Sequence, residues 1–298
     1  MSSQFIFIIN IICLLLFSAC DFHSSERENG KQDDLKKPTS VEQISNFQKG
    51  GKTLQERFTL PDGYTRISSE QSLFAQYLRT LPLKPKGSNV LYYNGTIKPN
   101  NNIYMAVVDK SIGRKDLHQC ADAIMRLRAE YLWQNKKFEQ IHFNLTNGFK
   151  VDYSNWMSGK RVKVEGNKTE WISRKPASNT YDDFWSYIEF IFMYAGTASL
   201  SKELHKVEWH DIRIGDILIQ GGHPGHAVLV VDMAENKNTK EKIFMLAQSY
   251  MPAQETHILC NPKDINSPWY SLNGAETIVT PEWTFKRDDL KRFHDYEL

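Results

Sequence analysis

A cysteine near a helix start, a histidine at the mouth of an apolar strand and a glutamine on the following strand are the residues whose types and order could do chemistry. Cys120 lies in DLHQCADAIMRLRAEYLWQ, where Leu117, Cys120, Ile124, Leu127 and Tyr131 share one stripe. This spacing predicts a helix over 116–134, with Asp116 as its cap and an Asp122–Arg126 pair one turn apart. Cys120 then falls in the first turn, where free N–H groups and the helix dipole favour a thiolate. Two other readings stay open: a small residue filling the core, or one half of a disulfide with Cys260.

His226 opens the apolar run of GGHPGHAVLVVD. A solvated histidine at a strand end, with Gly-Pro only marking a turn, is the plain alternative. His223 and His226 form H-x-x-H, but positions i and i+3 of a strand face opposite ways. No further ligands gather nearby, so neither a metal nor a cofactor is expected. The next strand, KIFMLAQSY, forms a hairpin with the first. Setting Asp232 opposite Lys242 brings His226 opposite Gln248, with Cβ atoms about 5 Å apart. A slip of one residue would present Ser249 instead.

The chemistry these residues suit is acyl transfer. Cys120 is the nucleophile, His226 the general base and Gln248 the group that orients the ring. The Cys120 backbone N–H is an oxyanion donor, with Gln119 as a second. Cys260 follows the loop-like MPAQETHIL, with no helix start to activate it, and is the poorer candidate.

The elements that must position these residues read as α+β. SSEQSLFAQYLRTL predicts a helix over 68–81 with a capping signature at Ser68 and Gln71. Strands are predicted within 56–67, in VLYYNG and over 103–109. A long apolar helix is predicted over 181–204, followed by strands in DILIQ, HAVLVVD, KIFMLAQSY and ETIVT. The expectation is one α+β domain over 53–298, helices first and an antiparallel sheet after.

The net charge of +2 in 298 residues does not indicate a polyanion partner. No basic stripe interleaved with aromatics suggests nucleic acid. FIFIINIICLLLFSAC is apolar and shorter than a comfortable membrane span. It reads as a secretory signal over 1–19, and Phe17-Ser18-Ala19-Cys20 resembles a bacterial lipobox. Cys20 is therefore the expected lipidation site. The polar stretch over 20–52 cannot fold alone and reads as a tether. These features imply an envelope protein held to a membrane by its N-terminal lipid.

QCADAIMRL, GDILIQ and GHAVLVVD, in that order, resemble NlpC-type cell-wall cysteine peptidases. These are papain-like α+β domains that cleave peptide bonds in peptidoglycan stem peptides. QCADAIMRLRAEY, YAGTASLSKEL, GGHPGHAVLVVDMAEN and LAQSYMPAQ together resemble an uncharacterised family of bacterial lipoproteins. The resemblance carries Cys120 and His226 over as catalytic residues and Gln248 as the third polar position. Ala121-Asp122-Ala123 departs from the enzymes' usual run after the nucleophile, and the long helix over 181–204 would be an insertion. A second class of function is a non-catalytic binding module, with Trp133, Trp156, Trp185, Trp269 and Trp283 available to line a groove for glycan or peptide.

Overall fold

The computed structural model describes residues 50–70 and 72–294. The signal over 1–19, Cys20, most of the tether and Gln71 lie outside the described residues. The first half runs α1 (Leu54–Arg57), β1 (Tyr64–Arg66), α2 (Leu73–Arg79), β2 (Tyr104–Val107) and α3 (Cys120–Gln134). A small hairpin of β3 (His142–Asn144) and β4 (Lys150–Asp152) leads into α4 (Tyr153–Met157). A second hairpin, β5 (Lys160–Glu165) and β6 (Lys168–Ser173), precedes α5 (Tyr181–Tyr194) and α6 (Thr197–Glu203). Then follow β7 (His205–Lys206), β8 (Ile217–Gln220), β9 (His226–Asn236), β10 (Lys242–Gln248) and β11 (His257–Leu259). The chain closes with β12 (Tyr270–Ser271), β13 (Thr277–Val279), β14 (Thr284–Lys286) and β15 (Leu290–Arg292).

The architecture is α+β around an antiparallel sheet in the order β2-β11-β10-β9-β8-β15-β7, with β1 added to the far end of β9 and β12 to β10. The first nine residues of β9, His226 to Ala234, are all buried. That explains why its sequence is a nearly continuous apolar run rather than an alternation: both faces are covered. The helix carrying Cys120 packs on β9 and β10 and touches α2, α5 and α6. Every residue of α3 from Ala121 to Leu132 is buried, charged ones included. A single apolar stripe was the expectation, but a helix enclosed on all sides must pair its charges inside. Arg126 donates to Glu130 Oε1 at 2.9 Å and Lys110 to Glu130 Oε2 at 2.8 Å. Burial works against the Glu130 charge, yet these two cations outweigh it and hold its carboxyl down at about 2. Arg126 thus pairs with Glu130 and not with Asp122.

Other elements shift for local reasons. The helix expected over 68–81 is Leu73–Arg79, capped by Ser72, whose Oγ accepts from the Ala75 N–H at 3.2 Å. The helix expected over 181–204 breaks at Ala195 and Gly196, both extended in backbone. Glycine resists helix and Ser199 Oγ accepts from the Gly196 N–H at 3.1 Å, so a new helix starts there at little cost. Residues 56–57, expected in a strand, belong to α1, and VLYYNG makes only isolated bridges, Leu91 to Ile97 and Tyr92 to Gln254. MPAQETHIL is not loop throughout: His257–Leu259 is β11. Gly51 and Lys52, expected in the tether, already join the fold, since Arg57 donates to the Gly51 carbonyl at 2.6 Å and Leu83 to that of Lys52 at 2.8 Å.

The β9–β10 register is the feature that positions the site. Lys242 lies opposite Glu235 and Met245 opposite Asp232, whereas Leu246 lies opposite Val230. Val231 is the extra residue of a β-bulge. The expected pairing of Asp232 with Lys242 is therefore off by three residues. Asp232 is fully buried beside the bulge and accepts from Arg79 Nε at 2.6 Å and Arg66 Nε at 2.8 Å. Removing one member of a buried pair leaves the other charge uncompensated. Asp232→Ala is expected to lower the unfolding free energy by about 3–5 kcal/mol, read from urea denaturation. A loss below about 1 kcal/mol, the worth of an exposed pair, would show that the cluster does not anchor the strand.

Candidate active site

Cys120 is the first residue of α3 and so stands in its first turn, but the cap is not Asp116. Gln119 takes the cap position, and Asp122 Oδ2 accepts from its backbone N–H at 3.0 Å. Asp116 is used elsewhere, accepting from the Ala253 N–H at 2.7 Å. That bond ties the approach to α3 to the loop after β10. Ser249 reinforces the tie: its hydroxyl lies 2.8 Å from the His118 carbonyl oxygen and 2.7 Å from that of Gln254. The residue that a register slip would have brought to the imidazole thus holds the segment leading into Cys120.

The backbone N–H groups of Cys120, Ala121 and Ala227 each favour the Cys120 thiolate. The last belongs to the residue after His226, so the thiol lies against the start of β9. Gly225, just before His226, has no room for a side chain. A Cβ there would come within 2.5 Å of Thr197 Oγ1 and 2.6 Å of the Gly222 carbonyl oxygen. This is one answer to why glycines lead into the apolar strand. His223 is exposed and His226 buried, so the two histidines of H-x-x-H do not share an environment. Among the described residues no three of His, Cys, Asp and Glu converge as a metal-holding group.

Gln248 meets His226, though not directly opposite it. Beyond the bulge Leu246 and Ala247 lie opposite Val230 and Leu229, which carries Gln248 beside Val228. His226 is two residues further along the same face, a diagonal that long side chains can span. His226 Nε2 and Gln248 Oε1 are 2.9 Å apart. Gln220 is the residue directly across from His226, on β8. Its Oε1 accepts from Trp283 Nε1 at 2.9 Å, which sets the indole 5.4 Å from the imidazole. Tyr250 at 4.7 Å and Phe285 at 6.0 Å complete an aromatic surround. Of the five tryptophans named from the sequence, Trp283 is the one with a ring contact to His226; Trp156 and Trp269 are core residues.

This surround decides the charge states. Burial lowers the His226 imidazole to about 4, only partly offset by the Gln248 hydrogen bond. Burial, with the Asp122 carboxyl, pushes the Cys120 thiol up to about 11 despite the three N–H groups. The helix start was expected to lower the thiol; desolvation wins because α3 is enclosed. At neutral pH the pair is therefore a thiol and a neutral imidazole, not a preformed ion pair. Cys120 and Cys260 are both free, and the Cys260 thiol donates to the Asn102 carbonyl at 3.3 Å. The Gln119 side chain reaches back to Asp116 Oδ1 at 3.5 Å. Sequence reasoning did not single out Tyr250, His257, Glu282 or Lys98, all of which surround Gln248 or the imidazole.

Because the thiolate is the reactive form, iodoacetamide labelling of Cys120 is expected to rise about tenfold per pH unit from pH 7 to 10. Peptide-resolved mass spectrometry separates it from Cys260. A rate already level at pH 7 would mean that the thiolate is preformed.

Comparisons with curated proteins and with solved structures give no match. A family model does match, described as domain of unknown function 4846, and it covers residues 54–292, from the start of α1 to the end of β15. The chain belongs to this family.

Proposed function

We propose that this protein is a cysteine hydrolase of the cell envelope, lipid-anchored through Cys20 and acting on peptide bonds in peptidoglycan stem peptides. The observation that carries the reading is the thiol at the first residue of a buried helix, influenced by the N–H of Ala227, the residue after a His226 that is hydrogen-bonded to Gln248. An antiparallel sheet that supplies histidine and amide from successive strands against such a helix is the arrangement expected of a papain-like core. The anchor and the envelope location rest on the apolar run ending in Ser18-Ala19-Cys20. No helix of the described residues is long and apolar enough to cross a membrane.

In the mechanism, the Cys120 sulfur attacks the peptide carbonyl carbon as its proton passes to His226 Nδ1. The tetrahedral oxyanion accepts from the Cys120 backbone N–H, with Gln119 as the second proposed donor. Collapse breaks the C–N bond, and His226 returns the proton to the leaving amine. Water then attacks the thioester, giving its proton to His226, and the Cys120 thiolate leaves and is reprotonated. The neutral starting pair means that proton transfer accompanies attack rather than preceding it.

A second reading, a non-catalytic module binding glycan or peptide, has its own support. A groove of about 690 Å³ lies away from Cys120 and is lined by Trp209, Lys242, Leu272 and Arg287 among others. An enzyme ordinarily places its chemistry in its principal cavity. Half of the groove's lining side chains are charged, whereas His226 and Gln248 beside Cys120's helix are buried and hydrogen-bonded to each other, so we weight the latter.

Purified peptidoglycan incubated with the full chain is expected to release stem-peptide fragments. His226→Ala should reduce the rate by about 100- to 10,000-fold, the contribution of a general base, and Cys120→Ala should abolish it. An imidazole lowered to about 4 stays unprotonated above that pH. The acidic limb of the kcat/KM profile is therefore expected near pH 4, not at the ordinary histidine value. Release that survives either substitution, with binding to glycan retained, would favour the module. Cys20→Ala is expected to move the chain out of the membrane fraction; retention there would refute the anchor.

A further inference from the structure

We propose that Glu282 is a positioning residue for the His226 base: held by Lys98, its carboxylate fixes the amide of Gln248, and that amide selects the imidazole tautomer. The proposal rests on the reading of Cys120 and His226 as nucleophile and base.

The argument is an inventory of donors and acceptors. Gln248 Nε2 lies 2.6 Å from Glu282 Oε2 and 3.3 Å from His257 Nε2. The Glu282 carboxylate accepts only. The Lys98 ammonium, on a side chain buried to all but 4%, grips both its oxygens at 2.8 and 3.0 Å and also donates to Gln254 Oε1 at 2.8 Å. His257 Nδ1 is 2.8 Å from the Glu255 carbonyl oxygen, which also accepts only. Burial keeps the His257 ring neutral, at about 3, so its one proton sits on Nδ1 and Nε2 is left to accept. Both neighbours therefore demand the NH₂ end of Gln248.

Oε1 is what remains for His226, and the Nε2 facing it at 2.9 Å must donate. A neutral imidazole protonated on Nε2 keeps its lone pair on Nδ1, the atom that the reaction needs as base. A half-turn of the Gln248 amide would set its oxygen against the carboxylate and its NH₂ against His226. The ring proton would then move to Nδ1, which could take no proton from a thiol. Glu282 acts at two bonds' remove from the imidazole, and the residue after it, Trp283, packs beside the same ring. The loop between β13 and β14 thus delivers both the orienting charge and part of the apolar wall.

The test uses the full chain labelled with ¹⁵N at histidine, the His226 signals being assigned by comparison with His226→Gln. Wild type should show the Nε2–H tautomer at pH 7. In Glu282→Gln the new amide can donate or accept, so the Gln248 amide is held only by its longer 3.3 Å contact to His257 Nε2, and the two His226 nitrogen shifts should move toward each other. Glu282→Asp should restore the wild-type pattern, which a merely structural loss would not. With peptidoglycan as substrate, Glu282→Gln should lower kcat by about 10- to 100-fold, as loss of an orienting partner does, with KM nearly unchanged. An Nδ1–H tautomer in wild type, or His226 shifts unaltered in Glu282→Gln, would overturn the proposal. If the tautomer responds but wild type releases no fragments, the relay stands and the hydrolase reading fails.

Discussion

One extra residue in β9 fixes which side chains share a face with His226. Side chains alternate along a strand, so a register is also a choice of face. Continued unbroken from the hairpin end, the register that sets Asp232 opposite Met245 would place Gln248 opposite Leu229 and turn it from the imidazole. The bulge at Val231 shifts the pairing by one, and Gln248 comes to the His226 face. Asp232, by the same shift, faces with Met245 on the opposite side, where it binds Arg66 and Arg79. The strand thus carries an ionic anchor on one face and an imidazole–amide pair on the other, with the bulge between them.

The second constraint is enclosure. α3 is covered by the sheet and by neighbouring helices, and His226 is walled by Tyr250, Trp283 and Phe285. Low dielectric disfavours every isolated charge. It raises the thiol, lowers the imidazole and leaves the pair neutral, while several charges elsewhere in the interior stand in matched groups. Glu130 gathers Arg126 and Lys110; Asp216 gathers Arg292 through both Nε and Nη2 at 2.6 and 2.9 Å. Around Gln248 the same rule produces the Lys98–Glu282 pair. A buried polar network is stabilising when every member is satisfied, and it then leaves few alternative orientations. That is why a glutamine, able to present either end, can be held in one.

Much of the site was legible in the sequence because its signals are local. A cysteine opening an amphipathic run, a glycine-rich lead into an apolar strand and a hairpin of computable length each concern residues close in the chain. They suffice to bring His226 and Gln248 together and to give the class as α+β. The register failed in detail because a bulge leaves no clear local mark within a strand that is apolar on both faces. The helix over 181–204 was read as continuous because its apolar pattern runs through the Gly196 break.

What the sequence determined by itself was residue type and local geometry: a cysteine at a helix start, an imidazole on a buried strand and an amide on the strand after it. What only the tertiary structure decided was their electrical state and orientation. Lys98 meets Glu282 across 184 residues and Glu282 meets Gln248 across 34, and no periodicity spans such separations. The thiol's helix start argued for a lowered value, but the depth of burial, which depends on every element packed around α3, reversed it. Desolvation and hydrogen-bond partnership are properties of the assembled interior, so they become readable only once the chain is folded.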